Sequence, residues 1–84
     1  MDPIIVALAG WAGVGFYVLA YFLLSIGRLD ARQYNFHFLN ILGAIGLIID
    51  ASAHHDLPNL VVNCIWLLIG SAAIASRYLS VRRP

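Results

Sequence analysis

Residues Ile4–Ile26 read IIVALAGWAGVGFYVLAYFLLSI and carry no charged side chain from one end to the other. As a helix rising ~1.5 Å per residue, this stretch would be roughly 34 Å long, enough to cross a ~30 Å hydrocarbon core with some tilt. Gly27-Arg28-Leu29-Asp30-Ala31-Arg32 breaks the run. A second apolar run extends from Tyr34 to Ser52 and opens with Tyr34-Asn35-Phe36-His37-Phe38, a polar-aromatic stretch suited to the headgroup zone. After the turn at Ala53-His54-His55-Asp56-Leu57, a third run goes from Pro58 to Tyr78. Pro58 suits a first helical turn, where its missing N–H costs nothing. These signals predict one unit over residues 1–84 with helices at about 4–26, 34–52 and 58–78. The short connections should make consecutive helices antiparallel neighbours.

The chain is 62% hydrophobic and 11% charged, with a mean hydropathy of +0.87. That leaves too little polar surface for a soluble domain of this size, so lipid is the expected solvent. Without water in the hydrocarbon core, every backbone N–H and C=O must be paired within the protein. Long apolar runs without alternation satisfy this as helices rather than as barrel strands. The expected fold is therefore all-α: an integral membrane protein built as a three-transmembrane-helix bundle.

All five cationic side chains are arginines. Arg28 and Arg32 lie in the first connection, and Arg77, Arg82 and Arg83 follow the third run. Arginine-rich short loops stay on the cytoplasmic side, which predicts an outside N-terminus and a cytoplasmic C-terminus. Met1-Asp2-Pro3 lacks the positive n-region of a signal peptide, so the first run is expected to remain as a helix. The arginines form no basic face with interleaved aromatics, and no nucleic-acid partner is expected.

Small residues mark places where helix backbones can approach. Ala9 and Gly13 form a small-xxx-small pair on helix one, Gly43 and Gly46 lie on helix two, and Gly70 with Ala73 on helix three. They suit packing within one protomer and a dimer seam equally well. The polar residues at membrane depth are Tyr17, Tyr21, Asn40, Asp50, Asn63, Trp66 and Ser71, and of these Tyr21, Asn40, Asp50, Asn63 and Trp66 form the candidate site. Counted from the inner ends, Tyr21, Asn40 and Ser71 should share a level, and Asp50 and Asn63 should share another near the outer ends. Asn59, Asn63, Trp66 and Gly70 follow 4-3-4 spacing and should form one inward helix face. Asp50 is the one acid near a span interior, a position that points either to function or to an interfacial capping role with Asn63, His54 or His55.

Other chemistry is sparse. His54-His55-Asp56 lacks the fixed geometry and fourth ligand of a metal site, so no metal and no cofactor are expected. Cys64 has no intramolecular partner and reads as a small packing residue. No nucleophile is placed beside a base at membrane depth, and there is no phosphate-cradling glycine loop after a strand, so an enzyme is not expected.

Tyr21-Phe22-Leu23-Leu24-Ser25-Ile26-Gly27, Asn40-Ile41-Leu42-Gly43-Ala44 and Asn63-Cys64-Ile65-Trp66 together resemble a family of small bacterial three-helix membrane proteins that has no assigned function. A more distant likeness is to SemiSWEET-type sugar transporters and other PQ-loop proteins. Those dimerise around a central pocket and carry an Asn on the third helix, comparable here to Asn63. Tyr21-Phe22 stands where such proteins have Pro-Gln, and Leu47-Ile48 where they have a pocket Trp. The resemblance implies three-helix architecture and, in its transporter form, a half-transporter for a small polar solute working as a homodimer.

The expected role is a small interaction or scaffold protein, acting as a homodimer or as an accessory subunit of a larger respiratory or photosynthetic membrane complex. The bilayer and one of those partners are its expected contacts. Moving two arginines into the outer turn should disturb or invert insertion; an unchanged topology in reporter fusions would count against the charge reasoning.

Overall fold

The structure is a computed structural model that describes residues 2–82 of the chain. Arg83, counted among the topology-setting arginines, lies outside the described residues. Those residues are all-helical in their regular structure: α1 spans Pro3–Ser25, α2 Tyr34–Ala53 and α3 Leu57–Arg82. All three are long and apolar enough to cross a membrane. α3 runs past Tyr78 because no proline follows Pro58 in the sequence until Pro84.

Local chemistry sets the helix ends. Asp2 Oδ1 accepts the Ile4 N–H at 2.7 Å, with Pro3 in the first turn. At the far end of α1, Gly27 adopts φ 78°. Its N–H donates to Leu24 O, and the Arg28 N–H donates to Leu23 O at 2.9 Å. This is a Schellman motif, which uses the left-handed backbone that glycine adopts freely. α2 ends in the same way, with His55 at φ 56° in the left-handed position and the Asp56 N–H donating to Ala51 O at 2.9 Å. Asp56 then accepts the Asn59 N–H at 3.3 Å and so caps α3.

The helices form a row more than a closed bundle. α2 packs against both α1 and α3, whereas the backbones of α1 and α3 do not approach one another. Consecutive helices are neighbours, as the short connections predict, and two seams lie on either side of α2. The α1–α2 seam is close because it is built from small residues. A Cβ on Gly13 would lie 2.7 Å from Gly43 O, and one on Gly46 would collide with Ala9 O. The α2–α3 seam is looser: Ile41 lies over Gly70, at 3.1 Å from where its Cβ would be. Pairings of low α1 numbers with high α2 numbers, and of Ile41 with Gly70, make neighbouring helices antiparallel.

Gly13→Ala and Gly46→Ala push against backbone that cannot swing aside, so each should destabilise by ~1–3 kcal/mol. Gly15→Ala, which meets nothing within 4 Å, should be neutral or slightly stabilising. Equilibrium unfolding in mixed micelles would test the ranking, and equal losses at Gly15 and Gly46 would contradict this seam.

Candidate functional site

Two polar clusters stand out among the described residues. The first begins with Asn63, which is 4% exposed on α3. Its Nδ2 donates to the Asn59 carbonyl at 2.9 Å and to Asn59 Oδ1 at 2.5 Å. Its own Oδ1 accepts the Tyr17 hydroxyl of α1 at 2.7 Å. This bond joins the two helices whose backbones stay apart. Helical side chains lean toward their own N-terminus, so Tyr17 reaches from its Cα toward the Asp2 end of the molecule. Gly43 makes the crossing possible: a Cβ there would stand 3.1 Å from Tyr17 Cγ and Cδ1. The glycine of α2 is thus the gap over which the tyrosine ring passes.

The second cluster surrounds Asp50. Its carboxyl group packs where Gly10 lacks a side chain, since a Cβ on Gly10 would lie 3.0 Å from Asp50 Cγ. His54 Nδ1 lies 2.9 Å from the Asp50 carbonyl and 3.3 Å from Oδ1. Asp50 and Trp11 line two shallow clefts of about 260 and 300 Å³ between α1 and α2. Each member of His54-His55-Asp56 therefore has local work: His54 bridges to Asp50, His55 turns the chain, and Asp56 caps α3.

Several expected groupings are absent. No hydrogen bond joins Asp50 to Asn63, because one faces the α1 backbone at Gly10 and the other faces Tyr17. Tyr21, Asn40 and Ser71 are likewise not linked. Tyr21 sets its ring edge-on to Phe36, with centroids 5.9 Å apart. Ser71 lines an apolar groove between α2 and α3. Asn40 is 6% exposed, and its Nδ2 donates to Phe36 O at 3.1 Å while its Oδ1 is buried without a partner. Trp66 is 42% exposed and does not belong to the inward face of α3. That face runs through Asn59, Asn63, Leu67, Gly70 and Ile74, so Leu67 takes the place assigned to Trp66. Both residues fit helical spacing; the direction from which α2 approaches decides between them.

Tyr17 is outside the candidate set, although it makes the one side-chain hydrogen bond between α1 and α3 among the described residues. The sequence signal for it is the pairing of a large polar ring on one helix with a glycine on the next. Ala9, Gly13, Gly43 and Gly46 lie at the α1–α2 seam, and Gly70 at the α2–α3 seam. Arg28 and Arg32 follow α1, and Arg77 donates a guanidinium N–H to the Arg32 carbonyl, which places these arginines at one end of the molecule.

A family model matches the chain over residues 6–82, that of a small bacterial-type family whose activity is uncharacterised. No curated protein and no solved structure matches.

A double-mutant cycle between Tyr17→Phe and Asn63→Ala should give a coupling energy of about 0.6 kcal/mol, with ~1.7 kcal/mol as the upper end for such bonds in membranes. Additive effects in micelle unfolding would mean that the bond does not hold α3 in place.

Proposed function

We propose that this chain, which belongs to the bacterial-type family matched over residues 6–82, is a packing unit of the membrane. It would join a second copy of itself or, as an accessory subunit, a larger respiratory or photosynthetic complex. The carrying observation is that small residues remain on outward faces after the internal seams are made. Ala72 and Ser76 form an exposed small-xxx-small pair on α3, and Gly15 on α1 has nothing within 4 Å of its would-be Cβ. Lipid offers no hydrophobic drive for helix association, so close backbone approach at such positions is the main source of attraction. Asn63 and Gly70 are the buried residues of α3 among those described by burial, which leaves most of that helix available.

The clustering of Arg28, Arg32 and Arg77 at one end supports a cytoplasmic placement of that end, with Asp2 and the 53–57 turn outside. A bacterial inner membrane fits this arrangement. The alternative, a SemiSWEET-like half-transporter with Asn63 in a pocket at a dimer axis, asks for a free amide facing solute. Asn63 is instead buried and already bonded to Tyr17 and Asn59, which favours packing over transport.

In mild detergent or native nanodiscs the protein should have the mass of a dimer or of a complex with a partner. Gly15→Ile or Ala72→Ile should break that association while leaving the helical content unchanged. A monomer with no co-purifying partner would overturn the proposal. Solute uptake in proteoliposomes that is lost in Asn63→Ala would instead favour the half-transporter.

A further inference from the structure

We infer that the arginine end of the α2–α3 seam binds an anionic phospholipid, its phosphate held by Arg32 and Arg77 and one acyl chain lying in the adjoining apolar groove. A cleft of about 300 Å³ opens there, lined by Ala31, Arg32, His37, Ala73 and Arg77. Its wall contains two guanidinium groups and an imidazole, with no carboxylate. Among the described residues, the ion pair present is His54 with Asp50, at the other end of the helices, and no acid pairs with Arg32 or Arg77. Asp30, the nearest acid in sequence, turns its Oδ1 to the Arg32 backbone N–H at 2.8 Å.

Arg77 is also held in place before any ligand arrives. Its guanidinium carbon stands 5.1 Å from the centroid of the Tyr34 ring, and one N–H donates to the Arg32 carbonyl. A guanidinium has five N–H donors, so several remain for an oxyanion, and its planar fork matches two phosphate oxygens at once. Fixing the side chain beforehand lowers the ordering cost of binding.

Tyr34 connects this cleft to a second feature. The ring that carries Arg77 also lines an apolar groove of about 510 Å³, together with Phe38, Ile41, Ile74 and Tyr78. From Tyr34 to Ile41 the groove descends roughly 10 Å along α2, the direction an acyl chain takes from its head group. A free phosphate would use the cleft alone, and an acidic protein segment would gain nothing from an apolar groove at membrane depth. The combination matches a phospholipid with net negative charge. Basic clefts between transmembrane helices are suited to such head groups.

The test is native mass spectrometry of the full chain released from micelles containing phosphatidylglycerol or phosphatidylcholine with the same acyl chains. Phosphatidylglycerol should be retained preferentially, and Arg32→Gln and Arg77→Gln should each lower its retention about fivefold. Arg28→Gln, outside the cleft, should leave retention unchanged. Ala75→Trp, which fills the groove, should also lower it. Equal retention of the two lipids overturns the proposal, as does unchanged retention in both arginine variants, which would leave these groups to an acidic protein partner. Displacement of the lipid by excess inorganic phosphate would reduce the site to one for a small anion and likewise overturn it. If Arg77→Gln loses helical content, Ala73→Glu keeps both arginines and places a carboxylate in the cleft; retention unaffected by it contradicts the site.

Discussion

Ala9 and Gly13 meet Gly43 and Gly46 at a distance where a single added methyl group would strike backbone. In lipid, where apolar side chains gain nothing by leaving the solvent for one another, such contact supplies the dispersion that holds two helices together. The other features of the fold are placed by this seam. It sets how far Asp50 reaches over Gly10, and it carries Tyr17 across the face of α2 at the level of Gly43. Without the approach of α1 to α2, the tyrosine hydroxyl would not arrive at Asn63.

The third helix is attached differently. Its seam with α2 is less tight, and a phenol-to-amide hydrogen bond ties it to α1. A bond of this kind is modest in energy even at membrane depth, because the separated helices also find partners for their polar groups. It contributes direction, since a hydroxyl and an amide must meet at one rotation and one depth. The outer helices are thereby given a fixed relation while their remaining faces stay open to lipid or to another protein.

Helix existence and approximate extent were legible in the sequence because uncharged runs of that length have few other uses. The small residues at Ala9, Gly13, Gly43 and Gly46 were visible too, but their pairing depends on the depth at which α1 meets α2. Trp66 and Leu67 show the same limit: adjacent residues differ by ~100° around a helix, and spacing alone cannot say which of the two faces α2. The end of α2 was harder still. A left-handed residue is usually glycine, and His55 fills that position at φ 56° without such a signal. Asn40 and Asn63 looked equivalent as membrane amides, yet Asn63 is fully bonded and Asn40 keeps a buried carbonyl oxygen without a partner. The difference comes from the opposing helix, where Tyr17 offers a donor to Asn63 and, among the described residues, none offers one to Asn40.

The bond from Tyr17 to Asn63 joins residues 46 positions apart, and this separation has a consequence for biogenesis. Synthesis proceeds from the N-terminus, so α1 and α2 can close their glycine seam before α3 has left the ribosome. In that interval the Tyr17 hydroxyl lacks its eventual acceptor and bonds elsewhere, as the polar groups of separated helices do in the bilayer. The arrival of α3 supplies the acceptor that holds this hydroxyl in its final direction. A hairpin of α1 and α2 made without Asn63 would therefore keep its glycine seam but lose the contact that fixes the direction of the Tyr17 side chain.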